Sequence, residues 1–130
     1  MRAPQLTVPK IAQGNNIFAV NLYKELAASE GNLFFSPASL HIALAMTFVG
    51  AAGDTAVEMA AVLHYLLDGG RLSHDYKAYI EQILDVGVMP DGQPTASLTI
   101  ANRAWGRTDT RFREKYLKFI EKMFNASLEQ

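Results

Sequence analysis

The chain has no cysteine and a single tryptophan among its 130 residues. Without cysteine there is no disulfide framework, no thiolate metal site and no thiol nucleophile. An excess of either charge is missing too: 12 Lys and Arg face 13 Asp and Glu, for a formal net charge of −1. Nucleic-acid binders ordinarily carry a basic surplus, so no nucleic-acid partner is expected. Long hydrophobic runs are also lacking. The longest nearly apolar stretch, Ile42 to Ala52, is too short to cross a bilayer as a helix, so no membrane partner is expected. The opening Met1-Arg2-Ala3-Pro4-Gln5 has one positive side chain and no apolar run behind it, so it does not read as a signal peptide. His41, His64 and His74 are scattered, and without cysteine to help them no metal site is expected. Gly50-Ala51-Ala52-Gly53 lacks the Lys-Ser/Thr that would follow it in a phosphate-cradling loop. No cofactor is implied.

What is present suits a packed domain. Apolar residues make up 49 %, too many for a disordered chain, and the length suits one domain spanning 1–130. Residues 1–10 hold Pro4 and Pro9 and no period, which predicts a loose arm. From Ile11 a helical stripe of Ile11, Phe18, Leu22 and Leu26 begins, with Gly31 as its stop. Asn32-Leu33-Phe34-Phe35 is long enough for one brief strand. Ser36-Pro37 is a strong helix start, because serine accepts a bond from a free backbone N–H and proline suits the first turn. The helix from Ala38 to Val49 is apolar almost all round and is expected to be buried on all sides. Thr55-Ala56-Val57-Glu58 has the spacing of a capping box and predicts a helix to about His64. A fourth helix carries Tyr76, Tyr79, Ile80, Ile83 and Leu84 inward, and a fifth, from about Arg111 to Phe124, carries Phe112, Tyr116, Phe119, Ile120 and Met123.

Thr95 to Trp105 alternates with period two and predicts one long strand. No second such run and no hairpin signal stands beside it. A lone strand leaves its backbone groups unpaired. Together with the all-apolar second helix, it predicts an incomplete fold. Its missing partner is more of the same polypeptide, a complementary fragment, or a second copy associating through the open strand edge.

The residues also resemble a family. Phe18-Ala19, Leu22-Tyr23 and Leu26, then Gly31-Asn32-Leu33-Phe34-Phe35-Ser36-Pro37-Ala38-Ser39-Leu40, are similar to the opening of a serpin, a serine protease inhibitor. So are Ala43 to Met46, Gly50-Ala51, Gly53-Asp54-Thr55 and Glu58-Met59. Ile100 to Trp105 resembles the second strand of the serpin central sheet, and Arg111 to Phe124 the helix after it. The resemblance implies an α+β fold: helices A to E, one long strand of sheet A and a short strand of sheet B. Such a segment is a scaffold. A serpin traps a serine or cysteine protease when its cleaved reactive loop inserts as a new strand into sheet A, releasing energy stored in a metastable native state. The resemblance places the reactive loop outside these residues, so this chain alone should not inhibit, and the target protease would be met by other regions. It leaves open a non-inhibitory relative (carrier, chaperone or storage protein), beside an autonomous helical interaction module. The family favours an extracellular home, whereas the missing signal peptide leaves a cytoplasmic one open.

The resemblance matches Ser36 and Ser39 to the serpin shutter, a small polar cluster beneath the opening sheet, and Asn32 to a recurring position just before it. Locally, Ser36 reads as a helix cap, and Ser39 as a mid-helix serine bonded back to a carbonyl or part of a buried polar network. No catalytic residue is expected. Ser73-His74-Asp75 has the residue types of a hydrolase triad, but adjacent helical residues diverge by roughly 100°. Arg111, Lys115, Lys118 and Lys122 are spaced to share one helical face. That pattern is a solvated face by default, with a polyanion site or protease exosite as the functional reading. His41 reads as a satisfied core or edge histidine, and His64 as a helix-end residue. Asn125-Ala126-Ser127 is a glycosylation sequon for a secreted protein.

Overall fold

The computed structural model describes residues 8–65, 72–85, 87, 89, 91–93 and 95–130. Helix α1 (Val8–Leu26) starts before the expected Ile11. Residues 8–10 of the expected loose arm are therefore helical, and Pro9 sits in the first helical turn, where a missing N–H costs nothing; residues 1–7 lie outside the described part. The helix ends at Leu26, and Gly31, at φ +118°, comes five residues later.

Helix α2 (Pro37–Phe48) begins where Ser36-Pro37 predicts. Ser36 is extended (φ −109°, ψ 104°) and its hydroxyl accepts the Ser39 N–H. Helix α3 (Gly53–Leu63) starts two residues before Thr55, behind an Ala52 cap that offers no side-chain bond. The expected capping box at Thr55 is thus absorbed into the first turn. His64 closes α3 in the left-handed conformation (φ 56°). Helix α4 (Leu72–Leu84) and helix α5 (Glu114–Phe124) complete the helical set. The Asp68-Gly69-Gly70 turn lies outside the described residues.

Strand β1 (Arg103–Trp105) and strand β2 (Ser127–Glu129) pair in parallel, with Arg103 opposite Ser127 and Trp105 opposite Glu129. Two expectations are corrected here. Only the last three residues of the predicted Thr95–Trp105 strand are hydrogen-bonded as a strand, because only there does a neighbour exist among the described residues. The period-two burial nevertheless runs back to Ile100, with the even positions from Ile100 to Gly106 more covered than Ala101, Arg103 and Trp105. The strand also has a partner inside the chain. Parallel neighbours need a crossover, and α5 supplies it. The predicted short strand at Asn32–Phe35 has no ladder; Phe34 there is 98 % exposed.

α1 packs on α2, α3 and α4, and α5 closes against α2 and α4. Ile42, Ala45, Leu63, Tyr76 and Ile120 form the driest part of the core. Tyr116 fixes α5 to α2: its hydroxyl donates to the Met46 carbonyl at 3.2 Å, and its ring lies so close to Gly50 that a Cβ there would sit 3.0 Å from Cε2. One stripe of α2 escapes the expected burial, with Leu40 41 % and Leu44 36 % exposed. Among the described residues no helix is long and apolar enough to cross a membrane, and no cluster of His, Asp and Glu could hold a metal ion.

Candidate functional site

Two polar sites flank α2. The first is its N-terminus. Ser36 Oγ accepts the Ser39 N–H at 3.3 Å and donates to Ser39 Oγ at 3.0 Å. The Ser36 hydroxyl thus serves both the Ser39 hydroxyl and the helix end, satisfying one orphan backbone donor. Both serines are exposed. Asn32 is exposed in the extended segment ahead of them, and no hydrogen bond joins it to either serine.

The second site is buried one turn further on, and the sequence reading did not foresee it as a network. His41 has no exposed surface. Its Nε2 lies 2.9 Å from the Leu63 carbonyl at the end of α3. Its Nδ1 lies 2.6 Å from the Tyr76 hydroxyl on α4. Tyr76 and Tyr65 hydroxyls are 2.7 Å apart, and the Tyr65 hydroxyl donates to the His41 carbonyl at 3.0 Å. Three of these contacts close a loop from His41 Nδ1 through Tyr76 and Tyr65 back to the His41 carbonyl, and the Leu63 carbonyl anchors the ring from its other nitrogen. Rings seal it: Phe18 of α1 lies 5.5 Å from the imidazole, Tyr65 meets it edge-on at 5.0 Å, and Phe124 of α5 lies 5.8 Å from Tyr76.

Proton counting sharpens this picture. A carbonyl only accepts, so Nε2 carries a hydrogen. A neutral ring then has a bare Nδ1, which takes the Tyr76 O–H, while the Tyr65 O–H goes to the His41 carbonyl. Three protons serve four contacts, and the short Tyr65–Tyr76 approach has none of its own. A charged ring would supply the fourth. That gain is one hydrogen bond, about 1 kcal/mol. The cost is a buried charge, several kcal/mol even after relaxation. Burial wins: it lowers the His41 pKa below 6.5, the Leu63 bond opposes this in part, and His64 adds a further lowering. Burial also raises both Tyr65 and Tyr76 well above the usual phenol range, so both stay protonated donors. On α1, the buried Asn15 Oδ1 has no hydrogen-bond partner among the described residues.

The remaining candidates are dispersed. Arg111 lies ahead of α5, whose N-cap is Arg113, so it does not continue the helical stripe of Lys115, Lys118 and Lys122. Lys118 is paired with Glu114 at 2.6 Å, one turn away. Asn125 is exposed and closes α5 in the left-handed conformation (φ 49°), its N–H on the Ile120 carbonyl. The backbone of Ser73-His74-Asp75 is helical, as expected.

The chain resembles known proteins throughout its length. The family model "Serpin (serine protease inhibitor)" matches residues 13–130. An uncharacterized serpin-like protein of Thermococcus kodakarensis is 36 % identical over 109 residues, 84 % of this chain and 24 % of that one. Serpin B6 of Macaca fascicularis is 32 % identical over 123 residues, 92 % of this chain and 31 % of its own length. Leukocyte elastase inhibitor of Bos taurus is 34 % identical over 121 residues, 92 % and 30 % of the two chains. The native stressed structure of the Arabidopsis serpin AtSerpin1 superposes with a TM-score of 0.78 at 22 % identity, over 97 % of this chain and 32 % of that one. The chain thus spans about a quarter to a third of the length of these relatives. Five helices, a parallel β1–β2 pair and the Asn32–Leu40 opening all fit one incomplete α+β fold, and the chain belongs to the serpin family.

Proposed function

We propose that this chain is scaffold of a protease-inhibiting serpin, and no catalyst itself. The observation that carries the reading is the β1–β2 ladder. Among the described residues β1 has a strand on one side only, and the alternating burial that precedes it asks for another. An unpaired edge of this kind is finished by further strands. In the proposed whole protein the remainder of the serpin chain, or a complementary fragment, supplies them and covers the exposed Leu40 and Leu44 of α2. A cleaved reactive loop then enters the same sheet, and the protease attached to it is carried along. Ser36 and Ser39 lie beneath that movement as shutter residues, with partners from later strands. Asn32 positions the segment leading into them. Lys115, Lys118 and Lys122 form a solvated face, and in a secreted form Asn125 is the glycan acceptor.

The relatives' names support an inhibitor: one is a leukocyte elastase inhibitor. The test is a trapping assay on the full-length protein with elastase-like and trypsin-like serine proteases. The expected result is a covalent serpin–protease band that survives boiling in detergent. Clean loop cleavage with no such band across the panel would sink the inhibitory reading in favour of a non-inhibitory relative. Stable, folded oligomers of the 130-residue chain alone, joined through β1, would instead favour a self-associating helical module.

A further inference from the structure

We propose that the His41–Tyr76–Tyr65 chain is an acid-sensitive latch: it holds α4 against α2 and α3 at neutral pH and releases it when His41 takes up a proton. The geometry carries this. Tyr76 is the residue through which α4 enters the loop of hydrogen bonds, and its hydroxyl donates to Nδ1 at 2.6 Å. That bond needs a bare Nδ1. Protonation turns this acceptor into a donor and swings the Tyr76 O–H toward Tyr65, 2.7 Å away, and the one hydrogen bond so gained is worth less than the buried charge costs.

Beyond the Leu63 carbonyl, which favours the charged ring in part, the surroundings offer the new charge no anionic partner among the described residues. From α1 the ring meets Phe18, and from the end of α3 it meets the Leu63 carbonyl and the ionisable His64, which is like-charged when protonated. From the segment after α3 comes Tyr65, and from α4 comes Tyr76, itself packed on Tyr79 and on Phe124 of α5. Asp75 and Glu58 lie on the packed elements, and neither bonds to the ring. A buried cation with no carboxylate beside it is expelled or destabilises its site.

The sign follows from linkage. Burial holds the folded-state pKa of His41 below its ordinary 6.5. The latch is therefore at full strength above about pH 6.5. It weakens by up to about tenfold per pH unit as the pH falls from there, and flattens below the folded-state value.

The experiment is hydrogen exchange by mass spectrometry on the full-length protein, from about pH 7.5 to 5, corrected for intrinsic chemistry. The ring of His41 is followed by NMR on the same samples. Amides of α4 should open about tenfold or more faster at the acid end than those of α5, the rise setting in at about pH 6.5 and levelling where the folded His41 ring titrates. In Tyr76→Phe, α4 should be fast at every pH; in His41→Gln, its pH dependence should vanish. The proposal is overturned if α4 exchange stays flat while the His41 ring titrates, or if α4 slows in acid. It is equally overturned if the pH dependence survives in His41→Gln. Should His41→Gln fail to fold, the wild-type curve decides: an α4 rise that does not begin at about pH 6.5, or does not level where the folded His41 ring titrates, overturns the proposal. None of these readouts depends on protease trapping, so failure of the inhibitor reading and failure of the latch are separable.

Discussion

The two faces of α2 are built from the same apolar vocabulary and meet opposite fates. One face, with His41, Ile42, Ala45, Met46 and Phe48, is sealed by α1, α3 and α5. The other, with Ser36, Leu40, Leu44 and Thr47, looks out. The sealed face has what a finished core has: dry side chains, satisfied polar groups and aromatic contacts at 5–6 Å. The open face has a capped helix end and, among the described residues, leaves Leu40 41 % and Leu44 36 % exposed. Apolar residues are thus a statement of need, and only the partner element decides whether the need is met within a given stretch of chain.

Substitutions can break this comparison, and the largest effect belongs to the sealed face. Ile42→Ala should cost roughly 2–5 kcal/mol in urea unfolding, since it empties a fully buried site. Leu44→Ala in the 130-residue chain should cost only about 0.5–1 kcal/mol. In a serpin-length protein the two costs should converge, and persistence of the gap there would contradict a covered α2. Next comes Gly106→Ala. A Cβ at that position would lie 2.5 Å from Phe112 Cε2, so the ring must move and the end of the ladder with it. About 1–3 kcal/mol should be lost, read as a lower Tm. Ser36→Ala removes the hydroxyl that caps α2 and should cost ~1 kcal/mol, with Ser36→Gly closer to neutral. A Ser36→Ala loss well above this would mean that the hydroxyl has partners beyond Ser39. Smallest is Arg103→Gln. It breaks an exposed pair with Glu129 at 2.9 Å, for about 0.5 kcal/mol that should disappear in high salt.

Much of the helical frame was legible because its signals are local. Ser36-Pro37 marks the start of α2 to the residue, and stripes such as Ile11, Phe18 and Leu22 declare a buried face. Where a signal was only statistical, the boundary slipped: Thr55-x-x-Glu58 has the right spacing, yet α3 begins at Gly53 without a side-chain cap. Strand β2 was invisible, since three residues cannot display a period. The eleven-residue alternation at Thr95–Trp105 was visible, but pairing is a property of two segments, and among the described residues Arg103 to Trp105 are the part that pairs as a strand. The His41 network was hidden for a further reason. Its members are 11 to 35 residues apart, and no spacing rule connects a histidine on one helix with tyrosines that folding alone brings to it.

The side of β1 that carries no strand among the described residues has a consequence in time. In the proposed serpin these residues would be made first, and the contacts among the helices and along the β1–β2 ladder join residues within this stretch. In a serpin-length protein, at about 5–20 residues per second, the remaining two-thirds would emerge over tens of seconds. Throughout that wait the nascent chain would hold a ready-made template for a stranger's strand, with Trp105 at 74 % exposure beside it. The ribosome-bound intermediate, more than the finished molecule, is where a chaperone would have most to guard.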